Sequence, residues 1–300
     1  MSTTPAPRSL LTRLVDDAAV FPPAALPVEK AWSEHLRLRA GWYGDLLGPL
    51  LVAASDAAGL VEAAASSPRR EDLETGTGHG ARPIEVGVIA RAGVPVEDLL
   101  EAVRTLDESP HLQVVSVEVA HDEEGRWRAA LDLPLPVAVE VVREGAAQAA
   151  ALDEIADAAA GREHPVLAKL RTQPTPQAPA PSPRELAEFL CAADGRELPF
   201  KLTGGLHHAV AGQHPRSEGG TEWQHGLLNV VVAAHYLVDG ASLPGLEAVL
   251  ELEDPEALAS LARGLDEDAV AALRERFVSF GCCTVTDPLD ELTDLGLIAR

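Results

Sequence analysis

Apolar residues along this chain fall into short runs with strand-like character, separated by stretches in which they recur with a helical period. The short runs predict strands over Leu14–Val20, Leu50–Ala54, Ile84–Arg91, Val114–Ala120, Val137–Arg143, Val166–Arg171, Phe200–Thr203 and Leu227–Ala233. Helices are predicted over Pro27–Ala40, Asp56–Ala65, Val96–Leu106, Ala146–Ala159 and Pro183–Cys191. The last has the clearest start: Ser182 suits an N-cap, Pro183 the first turn, and Glu185 completes a capping box. Eight strands alternating with helices predict a parallel (β/α)8 barrel. A doubly wound open sheet shares this local pattern and stays open as the alternative.

Two segments break the alternation. His121–Leu133 is short and polar and reads as a loop in place of a barrel helix. Leu206–Gln224 has no helical period and carries Gly, Pro and His; a long irregular loop in a compact domain is commonly functional. Arg69–Arg82 and Gln173–Pro183 read as mobile surface loops. Helices follow Leu237, then an apolar run at Phe277–Thr286. With no internal repeat and no linker, the 300 residues form one domain, with the barrel over about 10–240 and a helical extension over about 241–300.

Charge narrows the function classes. The formal net charge of −23 argues against nucleic acid or an anionic membrane as partner. The first residues lack the apolar core of a signal peptide, and no apolar run approaches the ~20 residues of a membrane span. Three cysteines, two of them adjacent, make no disulfide framework, so a reduced cytoplasm is expected. The Ala-, Gly- and Arg-rich composition suggests a bacterial source.

Lysine is the informative exception. The chain has only Lys30, Lys169 and Lys201, and the last two sit inside apolar strand-like runs. A buried lysine must be paired or lose its proton, and a desolvated lysine beside another cation is a route to an amine nucleophile. Alternation places Leu167, Lys169 and Arg171 on one face of their strand, and Lys201 and Thr203 on one face of the next. Glu118 and Glu140 arrive on the preceding strands, and Glu85, Arg91, Asp16 and Asp17 lie on earlier ones. Any single charged residue here also fits an outward position or a structural ion pair. The two lysines on successive strands, flanked by apolar residues, fit a site better.

The turn after Lys201 is Thr203-Gly204-Gly205-Leu206-His207-His208, whose glycines let backbone N–H groups approach an anion. His207, His208, His214 and His225 cluster nearby. Metal-ligand spacing is missing, so substrate contacts are expected of them rather than a metal site. Asn229, an amide inside an apolar run, needs hydrogen-bond partners and joins Asp17 among the candidate substrate contacts. Cys282-Cys283 reads as packing.

Lys169 on the sixth strand, with Lys201 on the seventh followed by Thr203-Gly204-Gly205-Leu206, resembles class I aldolases of the deoxyribose-phosphate aldolase type. The resemblance covers two short motifs. It implies that Lys169 forms a Schiff base, that Lys201 keeps it deprotonated, that Glu118 or Glu140 transfers protons, and that Gly204 and Gly205 face an anion. No cofactor is implied. Departures are the Arg171-Thr172-Gln173 sequence after Lys169 and the lack of a Gly/Ser motif at Ala233–Tyr236. The runs Asp16–Pro23, Lys201–His208 and Phe280–Cys283 are also similar to bacterial proteins of unassigned function, which implies no activity.

The expectation is a lyase acting on a small carbonyl compound, with or without a phosphate or carboxylate group. The alternatives are a metal-assisted or lysine-base isomerase, epimerase or lyase on a small anion, and a non-catalytic anion-binding barrel. The expected partner is a small-molecule substrate, and homo-oligomerisation is left open.

Overall fold

The computed structural model describes residues 5–66, 82–175, 178–215 and 220–299. The predicted Arg69–Arg82 loop lies almost wholly outside them. Ten strands are described: β1 (Val15–Asp17), β2 (Leu47–Ala53), β3 (Ile84–Ala90), β4 (Leu112–Ala120), β5 (Val137–Glu140), β6 (Val166–Arg171), β7 (Phe200–Thr203), β8 (Gly212–Pro215), β9 (Thr221–Gln224) and β10 (Phe277–Cys282). Eight of them, β1 to β7 and β10, close into a parallel barrel in chain order, with β10 between β7 and β1. The (β/α)8 fold is therefore the observed one, and β8–β9 is a separate antiparallel hairpin.

Helices fill the crossovers: α1 (Val28–Arg39), α2 (Ala57–Ser66), α3 (Val96–Asp107), α4 (Gly145–Ala159) and α5 (Pro183–Asp194). The connection between β4 and β5 has no α-helix, as expected, but in place of a hairpin-like loop it carries a 3-10 helix at Arg126–Asp132. The capping box of α5 forms, with the Glu185 N–H donating to Ser182 Oγ at 3.2 Å and the Ser182 N–H to Glu185 Oε2 at 2.7 Å.

The eighth barrel strand differs from the expectation. Leu227–Ala233 is not a strand but the start of α6 (Leu227–Val238), and every residue from Leu227 to Ala234 is buried. It packs against α5, α7 (Leu243–Leu250), α8 (Pro255–Arg263) and α9 (Glu267–Arg276), which leaves no polar face to reveal its period. A continuous apolar run cannot be told from a buried strand by periodicity alone. The closing strand comes only after α9, and α10 (Thr286–Asp294) follows it. Most of the residues beyond 240 thus precede the closing strand.

Alternation along the strands separates two environments. Val166, Ala168 and Leu170 of β6 join the large apolar core between barrel and helices. Leu167, Lys169 and Arg171 take the opposite face, toward the barrel axis. There the apolar filling is small: Ala18, Phe21, Leu51 and Ile89 form a separate cluster. Much of the remaining interior is charged. One glycine shows how tightly it is filled. A Cβ on Gly48 of β2 would lie 1.9 Å from Asp16 Oδ1. That carboxylate is tethered by Lys201 and Ser279 and has little freedom to retreat. Gly48→Ala is expected to lower stability by about 1–3 kcal/mol through overpacking, read as a shifted midpoint in urea unfolding. An unchanged midpoint would show that the carboxylate can move aside.

Candidate active site

Residues from five strands meet inside the barrel as one chain of ion pairs. Lys201 Nζ lies 2.5 Å from Asp16 Oδ2 and 2.5 Å from Glu118 Oε1. Glu118 Oε2 lies 2.6 Å from Lys169 Nζ, which also reaches Glu140 Oε2 at 2.8 Å. Glu140 Oε1 accepts from Arg171 Nε at 3.0 Å. Three carboxylates thus alternate with three cations. Register explains the meeting: Lys169 pairs with Lys201 across β6–β7 and with Glu140 across β5–β6. Asp16 accepts a further hydrogen bond from Ser279 Oγ at 2.8 Å.

Burial makes these contacts consequential. Glu118 is 0% exposed, Lys169 2% and Lys201 4%. Burial alone would push the Glu118 carboxyl up, but the ammonium groups of Lys169 and Lys201 outweigh it and hold the pKa at about 2. Glu140 is likewise lowered by Lys169 and Arg171 against its burial. For Lys201, burial opposes the charge, while Asp16 and Glu118 raise its pKa. Asp16 is raised, because burial outweighs its cation.

The chain of charges joins the two ends of the barrel. Asp16, Lys201, Ser116 and Ser279 line a cavity of about 390 Å³ together with Pro49, Pro136 and Pro165 from the N-terminal side of their strands. Arg274 also lines it; burial lowers its guanidinium to about 10, against the pull of Asp16. Glu140 and Arg171 stand at the C-terminal end, where about a fifth of each side chain is exposed. Two more guanidinium groups carry charge to that end. Arg91 sits 4.5 Å over the Phe21 ring, and Arg143 donates to the carbonyl oxygens of Pro179 and Ala178. Both feel the charges of Arg171 and Glu140. The two lysine amines therefore meet on one carboxylate, Glu118, and not in one open pocket.

The other candidate residues separate into groups. Thr203 is buried at the end of β7. The Gly204 N–H donates to Gly281 O at 3.2 Å, so it is already engaged within the protein. Gly205, His207, His208 and His225 line a larger cavity of about 830 Å³ at the C-terminal mouth. His207 Nδ1 is 3.0 Å from Thr284 Oγ1, and its two ring nitrogens each lie 3.6 Å from a sulfur, of Cys282 and of Cys283. Burial raises both thiols, away from nucleophilic thiolate. His208 pairs with Glu291 at 2.7 Å and stacks on His214. Among the described residues, no group of three His, Cys, Asp or Glu side chains is placed to hold a metal ion.

Two candidates stand apart from the ion chain. Asn229 has all its hydrogen bonds within the fold: Nδ2 donates to Val249 O and Leu252 O, and Oδ1 accepts from Ala211 N, each at 2.8 Å. It ties α6 to the loop after β7. Asp17 faces away from the barrel axis and bonds His35 Nδ1 at 2.9 Å, both groups buried. Its neighbour Asp16 is the one that points inward. Successive strand residues face opposite sides, but two adjacent acids on a three-residue strand give no sign of which is which. Ser279 stands in the Phe277–Thr286 run, whose strand β10 carries no charged residue to mark it as part of the site. Comparison with models of known protein families, and with curated proteins, finds no match for this chain.

Proposed function

We propose that this barrel is an imine-forming lyase of the class I aldolase kind, with Lys169 as nucleophile and a small carbonyl compound as substrate. The observation that carries this reading is the setting of Lys169. Its amine is buried on β6, between two carboxylates at 2.6 and 2.8 Å, and next to the Lys201 amine across Glu118. A proton can leave that ammonium for Glu140 without crossing solvent. The free amine then attacks the carbonyl carbon to give a carbinolamine. Glu140 returns the proton to its hydroxyl, which departs as water and leaves the imine. A carboxylate then takes a proton from the adjacent carbon, or takes the proton of a hydroxyl one carbon further on as the carbon–carbon bond between them breaks and that carbon departs as a carbonyl compound. Either way the electron pair passes into the iminium to give the enamine, whose carbon regains a proton to restore the imine. Water hydrolyses the imine in the last step. Lys201 keeps its charge throughout and stabilises the ionised Glu118. Arg171, and Arg91 near it, suit an anionic group on the substrate, which would compete with Glu140 for the guanidinium.

A second reading is an enolisation in which the carboxylates move the protons and Lys201, held charged by Asp16 and Glu118, serves as a fixed cation. Both readings require labilised C–H bonds beside the carbonyl. Pyruvate, dihydroxyacetone and acetaldehyde incubated with the protein in D2O are the direct probe. Deuterium should enter the carbon next to the carbonyl of at least one, seen by NMR, and the exchange should vanish in Lys169→Arg. Exchange that persists unchanged in that variant would exclude Lys169 from either role.

A further inference from the structure

Three guanidinium groups gather at the C-terminal end of the barrel: Arg91 just after β3, Arg143 just after β5, and Arg171 at the end of β6. Arg91 and Arg143 both feel the positive charge of Arg171. Like charges repel, and a chain with a formal net charge of −23 has many carboxylates with which to separate them, so the gathering needs a reason.

The interior network does not neutralise it. Asp16, Glu118 and Glu140 match Lys201, Lys169 and Arg171 one for one. Arg91 and Arg143 stand outside that balance. Each is held by neutral partners: the Phe21 ring under Arg91, and the carbonyl oxygens of Pro179 and Ala178 for Arg143. Neutral contacts fix a guanidinium in place and leave its charge intact. The carboxylates that act on these two groups are Glu140 and Glu185. Glu140 is already shared by Lys169 and Arg171, and Glu185 accepts from the Ser182 N–H and Oγ. Among the described residues, neither Arg91 nor Arg143 forms an ion pair. The groups beside them line the larger cavity: Pro22 next to Phe21, Thr172 next to Arg171, and Pro179 and Ala178 themselves.

Two surplus positive charges suit a ligand with two negative ones, and their arrangement narrows its chemistry. Arg91 and Arg143 each act on Arg171 but not on each other, so they flank it as separate points. A phosphate is gripped where donors converge, commonly on free backbone N–H groups, and the Gly204 N–H is engaged by Gly281 O. Separate guanidinium groups suit separate carboxylates, each paired side by side with its fork of N–H donors. We propose that the substrate is a carbonyl compound bearing two carboxylates, one held by Arg91 with Arg171 and the other by Arg143. The inference rests on the proposed function in taking this end of the barrel as the reactive one, and adds the class of its substrate.

The test uses dicarboxylates that cannot form an imine. Succinate, glutarate and adipate, which differ in span, are titrated into the full chain by calorimetry at fixed ionic strength, with butyrate and inorganic phosphate alongside. At least one dicarboxylate is expected to bind saturably, and about tenfold or more tighter than butyrate. Arg91→Gln and Arg143→Gln should each weaken it by about tenfold. Arg91 makes no hydrogen bond among the described residues, so its variant reads ligand binding apart from stability. No saturable binding by any of the three, butyrate or phosphate binding as tightly as the best of them, or unchanged affinity in either variant would overturn the substrate class. The dicarboxylates carry no aldehyde or ketone, so a failure of Lys169 to form an imine leaves these results untouched, and the two readings fail separately.

Discussion

Replacing Glu118 by Gln is expected to lower stability by about 3–5 kcal/mol at neutral pH, because it leaves two buried ammonium groups without the charge between them. Both carboxylate oxygens face an amine, at 2.5 and 2.6 Å, and the side chain is 0% exposed. An amide cannot serve both amines, since its NH2 would point at one of them. The pH dependence carries a sign. The folded pKa of Glu118, about 2, lies below its ordinary 4.5, so its contribution is complete above about pH 4.5 and is lost as pH falls toward 2. A shift of this size corresponds to about 3 kcal/mol. The stability gap between wild type and Glu118→Gln should therefore narrow by about that much across this range. Glu140, also lowered, moves the wild type the same way. Asp16, raised by burial, does the opposite: its ionisation works against the fold, and acid relieves it. Urea unfolding of wild type and variant at several pH values measures the gap. A gap that does not change with pH would mean that Glu118 is not the ionised centre of the network.

The second large effect separates the two lysines. Lys169→Arg should fold and keep a cation between Glu118 and Glu140, yet abolish imine formation, because a guanidinium is not deprotonated in proteins. Lys201→Leu should act differently. It leaves the charge of Glu118 facing Lys169 alone, which favours the ammonium over the reactive amine. Imine formation should slow by about tenfold or more at neutral pH and recover as pH rises, about tenfold per unit. Comparable losses in both variants with no recovery would remove the distinction between nucleophile and neighbour.

Much of this site could be read from residues alone, for a physical reason. Lys169, Lys201, Glu118 and Glu140 each sit inside a strand whose other face is apolar, and the period of two then fixes which way each points. The capping box at Ser182 and Glu185 is equally local. What could not be read depends on contacts distant in sequence. Leu227–Ala234 is a helix because other helices surround it, not because of its own pattern. With Leu227–Ala233 read as the eighth strand, Ser279 on β10 could not be placed in the barrel, although it joins Asp16 in the network. Choosing Asp17 over Asp16 needed a register that β1, three residues long, does not display. The expected anion contact at Gly204 depends likewise on β10, whose Gly281 carbonyl oxygen already accepts its N–H.

Reductive trapping addresses the nucleophile most directly. The protein is incubated with a panel of small aldehydes and keto acids, reduced with borohydride, and mapped by peptide mass. With only three lysines in the chain, and Lys30 exposed on α1 as an internal control for surface chemistry, an adduct can be assigned without ambiguity. The account predicts a stable mass addition at Lys169 with at least one carbonyl compound, absent in Lys169→Arg and slower in Lys201→Leu. Modification of Lys30 alone, or no addition at Lys169 with any member of the panel, would contradict it.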